Sequence, residues 1–291
     1  MTCMIKPIEK LGLLLRMIKF EHTIFALPFA FLGAFLAARG LPDIRTSIWI
    51  VVAMAGARTA AMGFNRIVDL PFDAKNPRTS NRALPKGKVS NREAWIMVIV
   101  SAGVYFLAAC ELNHLAFSLS PLGLAIIFFY SYTKRFTFFC HVFLGLAIGL
   151  APTAGWIAVK GNIELLPVVL STAVLFWVGG FDVLYACLDI NFDRKMGLHS
   201  MPAAFGTKKA FSISGIFHLI SFTMFTFAGI MAHLNWIYFC GLIIVLILSI
   251  MQHIIINPND LSRMDMAFFT CNGAISLILF AATALSLVFR T

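Results

Sequence analysis

Apolar runs, each near the length of a membrane-crossing helix, succeed one another along the 291-residue chain with short polar stretches between them. They fall near 23–38, 47–64, 94–110, 116–130, 138–159, 166–187, 210–232, 236–255 and 266–289. A helix needs about 20 apolar residues to cross a hydrocarbon core of about 30 Å. Few of the runs alternate with period two, so a membrane barrel is a poor description and helices are the expected element. The pattern predicts an all-α integral membrane protein, a bundle of about nine transmembrane helices. The first run follows about twenty residues that carry acids as well as bases, with no small-residue cleavage site after it. A cleavable signal is therefore not expected.

Composition agrees. The chain is 60% hydrophobic and only 12% charged, with a mean hydropathy of +0.87. Those values exclude an ordinary soluble globule, a disordered chain and a disulfide-rich secreted scaffold. The net charge of +10 needs a separate account. Eighteen of the 23 Lys and Arg lie on one side of the predicted spans, in the N-terminal segment, at 66–92, at 134–135, at 194–209 and at 263. The other side holds Arg39, Arg45, Lys160 and Arg290, and Arg58 lies within a span. The positive-inside rule then puts the N-terminus and the basic face in the cytoplasm of a multi-pass protein of the cytoplasmic (inner) membrane. No nucleic-acid partner is expected, and no obligate protein partner. The six cysteines are scattered and mostly within apolar runs, without metal-ligand spacing, so they read as small packing residues.

The acids are not scattered. Five of the thirteen fall in two windows at the basic ends of spans: Asp69 and Asp73 after Asn65, and Asp182, Asp189 and Asp193 around Tyr185. At about 100° per residue, each window, with Arg58 upstream of the first, reads as one polar stripe about 80° wide on an apolar helix. Pro71 is expected to kink or end the first helix. Each Asp at membrane depth costs about 3 kcal/mol, so such a set is retained for function and paired with cations. Two facing carboxylate stripes suit hard divalent cations, and Mg²⁺ is commonly held by a few carboxylates plus substrate phosphates. The neighbouring bases Arg78, Arg82, Lys134 and Arg194 suit the same anion. The expected ligand is a diphosphate held by Mg²⁺ at the membrane boundary.

The patterns N-x-x-x-D-x-x-x-D at 65–73 and D-x-x-Y-x-x-x-D-x-x-x-D at 182–193 resemble the two signatures of the UbiA superfamily of intramembrane prenyltransferases. The stretches at 76–82, 130–135 and 197–202 resemble that family too, and the likeness covers nearly the whole chain. Ala83 stands where many relatives carry Pro, a local departure that touches nothing catalytic. The resemblance implies one domain over 1–291 with a central cavity, and transfer of a polyprenyl chain from its diphosphate to an aromatic acceptor. By position it implies that Asn65, Asp69 and Asp73 hold one Mg²⁺ and that Asp189 and Asp193 hold another. Arg58, Arg78, Arg82, Lys134 and Arg194 would neutralise the diphosphate. Tyr130 and Tyr185 would support the diphosphate or the allylic cation. Asp182, the deepest acid, would read the acceptor or take up the ring proton.

The stretch at 19–29 resembles the 4-hydroxybenzoate polyprenyltransferase-like branch, which includes members of the futalosine route to menaquinone. It is less similar to branches that use haem, chlorophyllide or homogentisate. The expected partners are thus the lipid bilayer, a polyprenyl diphosphate and a hydroxylated aromatic acid, with 4-hydroxybenzoate ahead of a dihydroxynaphthoate. The Glu21–His22 pair is either an interfacial anchor or a contact to that acid. Of the 29 Phe, most are expected in packing and a minority in the prenyl tunnel. Gly145 and Gly149 are expected to let helices approach closely. A cation transporter would instead carry acids near mid-membrane in broken helices. A CDP-alcohol phosphotransferase would need Gly between its acids.

Overall fold

A computed structural model describes residues 12–14, 17–18, 23–258, 260–264 and 270–289. Glu21, His22, Cys3 and Arg290 lie outside these, as does the start of the last predicted span. The long elements are α1 (Thr23–Ala38), α2 (Ile44–Val68), α4 (Asn91–Leu112), α5 (His114–Thr133), α6 (Cys140–Lys160), α7 (Leu165–Ala186), α10 (Thr207–Met231), α11 (Trp236–Ile255) and α12 (Asn272–Val288). Short helices α3 (Leu70–Asp73), α8 (Ile190–Lys195) and α9 (Met201–Phe205) lie between them. No strand occurs among the described residues.

Seven helices, from α2 through α7 and then α10 and α11, are long and apolar enough to cross a bilayer, α3, α8 and α9 excepted. The other two apolar helices are shorter, 16 residues in α1 and 17 in α12. At 1.5 Å per residue these reach only about 25 Å, short of the hydrocarbon thickness. Among the described residues there are thus seven full-length spans and two shorter apolar helices, and the expected count of nine is not confirmed. Large apolar side chains such as Ile99, Leu219 and Ile254 face outward, as lipid-facing positions do. Cys110 and Cys240 share that exposure, so the expected packing role holds for buried Cys140 and Cys187 but not for them.

Local sequence sets where the helices begin. Asp43 caps α2 by accepting from the Thr46 amide at 2.9 Å, and Asn113 caps α5 through the Ala116 amide at 3.0 Å. Ser90 and Glu93 form a reciprocal capping box that starts α4. Glycine then decides how tightly helices meet. A Cβ on Gly145 would lie 2.3 Å from the Leu175 carbonyl oxygen, and one on Gly149 would lie 2.8 Å from that of Ser171. Only glycine lets α6 and α7 approach so closely. The buried core runs along α1, α6, α7 and α12, with Phe29, Leu170, Val174 and Leu279 almost wholly enclosed.

The polar windows are not the continuous stripes expected from helical spacing. The helix of the first window ends at Val68, with Asp69 as its C-cap, and Pro71 opens the separate four-residue α3. Proline has no N–H to lose in a first turn, so it starts the new helix more readily than it continues the old one. The second window breaks at a 3-10 turn, Cys187–Asp189, before α8. Both breaks lie at the same end of the bundle.

Candidate active site

The C-terminal ends of α2, α5 and α7 converge there, each bringing part of the polar set. The loop after α3 folds back over it. Asn76 accepts the Arg78 amide on its Oδ1 at 2.9 Å and donates through Nδ2 to Asp189 at 3.1 Å. This turn delivers the Arg78 guanidinium to the second window. Arg78 donates Nε to Asp189 Oδ1 at 3.0 Å, pairs through Nη2 with Oδ2, and donates Nη1 to the Tyr185 hydroxyl at 3.2 Å. Its guanidinium also lies over the Tyr185 ring, 5.3 Å from the centroid. The loop that follows the first window is thereby in direct contact with the second window, more than a hundred residues further along the chain.

The other acids are held as specifically. Arg82 grips both oxygens of Asp73 at 2.8 and 2.7 Å, with Arg66 4.0 Å away. Lys134, at the end of α5, pairs with the fully buried Asp193 at 2.7 Å, while Ser200 donates to the other Asp193 oxygen at 2.9 Å. Burial alone would lower the Lys134 ammonium, but the Asp193 carboxylate outweighs it and holds Lys134 above the ordinary lysine value. Asp69 is different. Its side chain accepts one hydrogen bond, from Asn65 Nδ2 at 2.9 Å, and it has no ion pair among the described residues. Burial, and then the Asp73 carboxylate nearby, push its acid up to about 6.

Four predicted residues stand apart from this cluster. Arg58 and Tyr130 line a neighbouring cavity, and Arg58 Nε has no hydrogen-bond partner among the described residues. Asp182 accepts from His141 Nδ1 at 2.7 Å. Arg194 is not brought into the cluster: it is exposed and donates Nε to the Ala203 carbonyl at 2.9 Å, bracing α9 instead. Sequence reasoning gave no role to His141, Arg66, Asn76 or Ser200. A lone polar residue at the head of an apolar run was the available sign for His141, but nothing in the sequence pairs it with an acid 41 positions away.

The cavity measures about 400 Å³ and runs from Arg58 and Tyr130 toward Leu112 and Ile163 at the opposite ends of α4 and α6. Ala53, Ala57 and Ala61 of α2 face Ala147, Ala151, Ala154 and Ala158 of α6 across it. Among the described residues no phenylalanine lines it, and Tyr105 and Tyr130 are the aromatic residues on its wall. The phenylalanines expected in a prenyl tunnel are not among the described residues of this cavity. Small side chains leave the space open, and rings such as Phe64 and Phe128, stacked at 4.2 Å, are spent on packing. A polar cluster rich in Arg, Lys and carboxylate, at the same end of the bundle as the Arg58 and Tyr130 side of an apolar cavity, can hold an ionic head with a hydrocarbon tail beside it.

Among the described residues no three acids, histidines or cysteines converge on one point, because bases occupy most of the carboxylates. The donor set still fits a hard divalent cation: four carboxylates and an amide, with Asp69 half-buried near Asp73 and lacking an ion pair among the described residues.

The sequence profile of the UbiA prenyltransferase family matches residues 26–284. The chain is 29% identical to a 4-hydroxybenzoate octaprenyltransferase of Shewanella pealeana, over 95% of this chain and 96% of that one. It is 32% identical to the enzyme of the same name from Xanthomonas campestris, over 88% and 84%. Among solved structures, the apo form of a UbiA homolog from Aeropyrum pernix is similar with a TM-score of 0.84 and 35% identity, over 91% of this chain and 98% of that one. A UbiA homolog from Archaeoglobus fulgidus bound to GPP and Mg2+ shares the fold with a TM-score of 0.74 at 20% identity, over 95% and 99%. With a family match across most of its length, and with both signature windows meeting at one end of a helical bundle, the chain belongs to the UbiA prenyltransferase family.

Proposed function

We propose that the protein transfers a polyprenyl group from its diphosphate to a ring carbon of 4-hydroxybenzoate, beside the hydroxyl, in quinone biosynthesis. The observation that carries this reading is that the Arg78–Asp189, Arg82–Asp73 and Lys134–Asp193 pairs lie at the end of the bundle where Arg58 and Tyr130 line an apolar, alanine-rich cavity, with Asn65 bonded to Ser131 beside Tyr130. The acceptor is taken from the relatives named 4-hydroxybenzoate octaprenyltransferase.

In this reading Arg78, Arg82 and Lys134 shift from carboxylate to diphosphate oxygens, and Arg58 closes the inner side of the anion from the cavity wall. Asn65, Asp69 and Asp73, with Asp189 and Asp193 opposite, would hold Mg²⁺. When bound, Mg²⁺ supplies charge neutralisation to the departing pyrophosphate. The allylic C–O bond breaks with its electron pair leaving on pyrophosphate, and Tyr130 and Tyr185 face the developing carbocation with their rings. The cavity keeps water from that cation, which would otherwise be quenched as an alcohol. A ring carbon of the acceptor forms the new C–C bond, and its proton passes to the Asp182 carboxylate. The basic end faces the cytoplasm, where both substrates are met.

The test is an acceptor panel. Purified protein is given geranyl diphosphate, Mg²⁺ and either 4-hydroxybenzoate, 1,4-dihydroxy-2-naphthoate or 1,4-dihydroxy-6-naphthoate, and the products are weighed by mass spectrometry. Prenylated 4-hydroxybenzoate supports the reading; prenylation of a naphthoate alone overturns the acceptor while leaving the chemistry.

A further inference from the structure

We propose that His141 is a positioning residue that fixes the Asp182 carboxylate for the acceptor. This inference rests on the reading of Asp182 as the group that meets the acceptor. His141 stands in the first turn of α6 and is almost wholly buried. Its imidazole is bound on both sides. Nδ1 lies 2.7 Å from Asp182 Oδ2, and Nε2 lies 3.3 Å from the backbone nitrogen of Met201. A backbone N–H can only donate, so Nε2 is the acceptor and Nδ1 carries the proton to the carboxylate. In that tautomer one ring makes both bonds, and together they fix its orientation.

The far side of that ring is anchored to the segment that serves the diphosphate site. Met201 is the first residue of α9, whose opening amide would otherwise be left unpaired. Ser200, its N-cap, is also the donor to Asp193. Two further bonds stitch the same segment down: the His199 amide to the Lys134 carbonyl at 2.7 Å, and Cys140 Sγ to the His199 carbonyl at 3.5 Å. His141 therefore ties Asp182 to the backbone that sets Lys134 and Asp193.

The carboxylate so held keeps a working face. About a quarter of the Asp182 side chain is exposed, and Oδ1 has no hydrogen bond among the described residues. Asp182 lies on α7 one turn before Tyr185, whose hydroxyl takes Arg78. With Oδ2 occupied by His141, the second oxygen is the one left for an acceptor hydroxyl or ring proton. Histidine is suited to this because it supplies a donor and an acceptor about 2 Å apart on a rigid plane, which an aliphatic residue cannot.

The experiment compares His141→Leu, which offers neither bond, with His141→Gln, which can supply one donor and one acceptor. Steady-state kinetics use geranyl diphosphate and the acceptor that the wild type prenylates. His141→Leu should lower kcat by about 10- to 100-fold, the range for losing an outer-shell partner. The KM for geranyl diphosphate should stay within about twofold, and His141→Gln should recover most of kcat. In an Asp182→Asn background, adding His141→Leu should change kcat by less than about twofold, because the residue acts through Asp182. Wild-type kcat in His141→Leu, a loss confined to the KM for the diphosphate, or an equal further loss in the Asp182→Asn background would each overturn the proposal. If His141→Leu does not fold, His141→Met takes its place. Full activity of Asp182→Asn alone would instead remove Asp182 from the chemistry, which is failure of the underlying reading.

Discussion

Single residues carry most of the chemistry. Asp69 is the carboxylate without a base of its own, and burial with Asp73 beside it lifts its acid to about 6. Lys134 and Arg66 nearby act in the opposite direction, as does the Asn65 hydrogen bond. Below that pH the group is protonated, and a proton there competes with a cation. The affinity for Mg²⁺ should therefore weaken as pH falls through about 6, approaching about tenfold per unit below it, as a calorimetric titration at pH 5 and pH 7.5 would register. Asp69→Asn should abolish that dependence as well as weaken binding. Replacing Arg78 by Lys should lower turnover by about 10²-fold, because Lys cannot span Asp189 and Tyr185 together as the planar guanidinium does. Initial rates of pyrophosphate release check it. The charged residues of this site were legible in the sequence, since a carboxylate in an apolar run stands out. Their partners were not. Asn76, Ser200 and His141 are ordinary in their local contexts, and only the fold brings His141 to an acid in the next span.

At the scale of elements, hydrophobic length located the helices well, and seven of nine spans have the predicted character. Pro71 signalled the first break, as the structure has it; what periodicity could not give was the second. Helical spacing draws Asp69 and Asp73 onto one stripe with Asn65, yet Pro71 begins a new helix there, and the 3-10 turn at 187–189 resets the second window. Both departures fall where backbone must turn side chains from two elements toward one point, an arrangement that tertiary contacts decide. Arg194, on α8, bonds the Ala203 carbonyl of α9 rather than one of the acids. Helix proximity, by contrast, was readable from glycine. Gly145→Val should destabilise the protein by about 1–3 kcal/mol, since its Cβ would meet the Leu175 backbone oxygen rather than a flexible side chain. A lowered thermal transition in detergent is the measurement, and an unchanged one would mean that α6 and α7 are not so closely packed.

Across the whole molecule, charge and hydropathy divide the labour. Arg78, Arg82 and Lys134 gather with the acids at one end of the bundle. The apolar cavity extends inward from that end. Ala158→Phe, near its far end, should raise the KM for long polyprenyl diphosphates by at least about tenfold while leaving geranyl diphosphate within about twofold, because only a long chain reaches that depth. The central claim is that the two acid windows and the cavity form one prenyl-transfer site. Pyrophosphate release from geranyl diphosphate in the presence of Mg²⁺ and 4-hydroxybenzoate, measured side by side for wild type, Asp69→Ala and Asp189→Ala, tests it most directly. The account predicts release coupled to a product heavier by one geranyl group in the wild type, and a fall of at least about 100-fold in both variants. Equal rates in all three proteins, or no prenylated product from any of them, would contradict it.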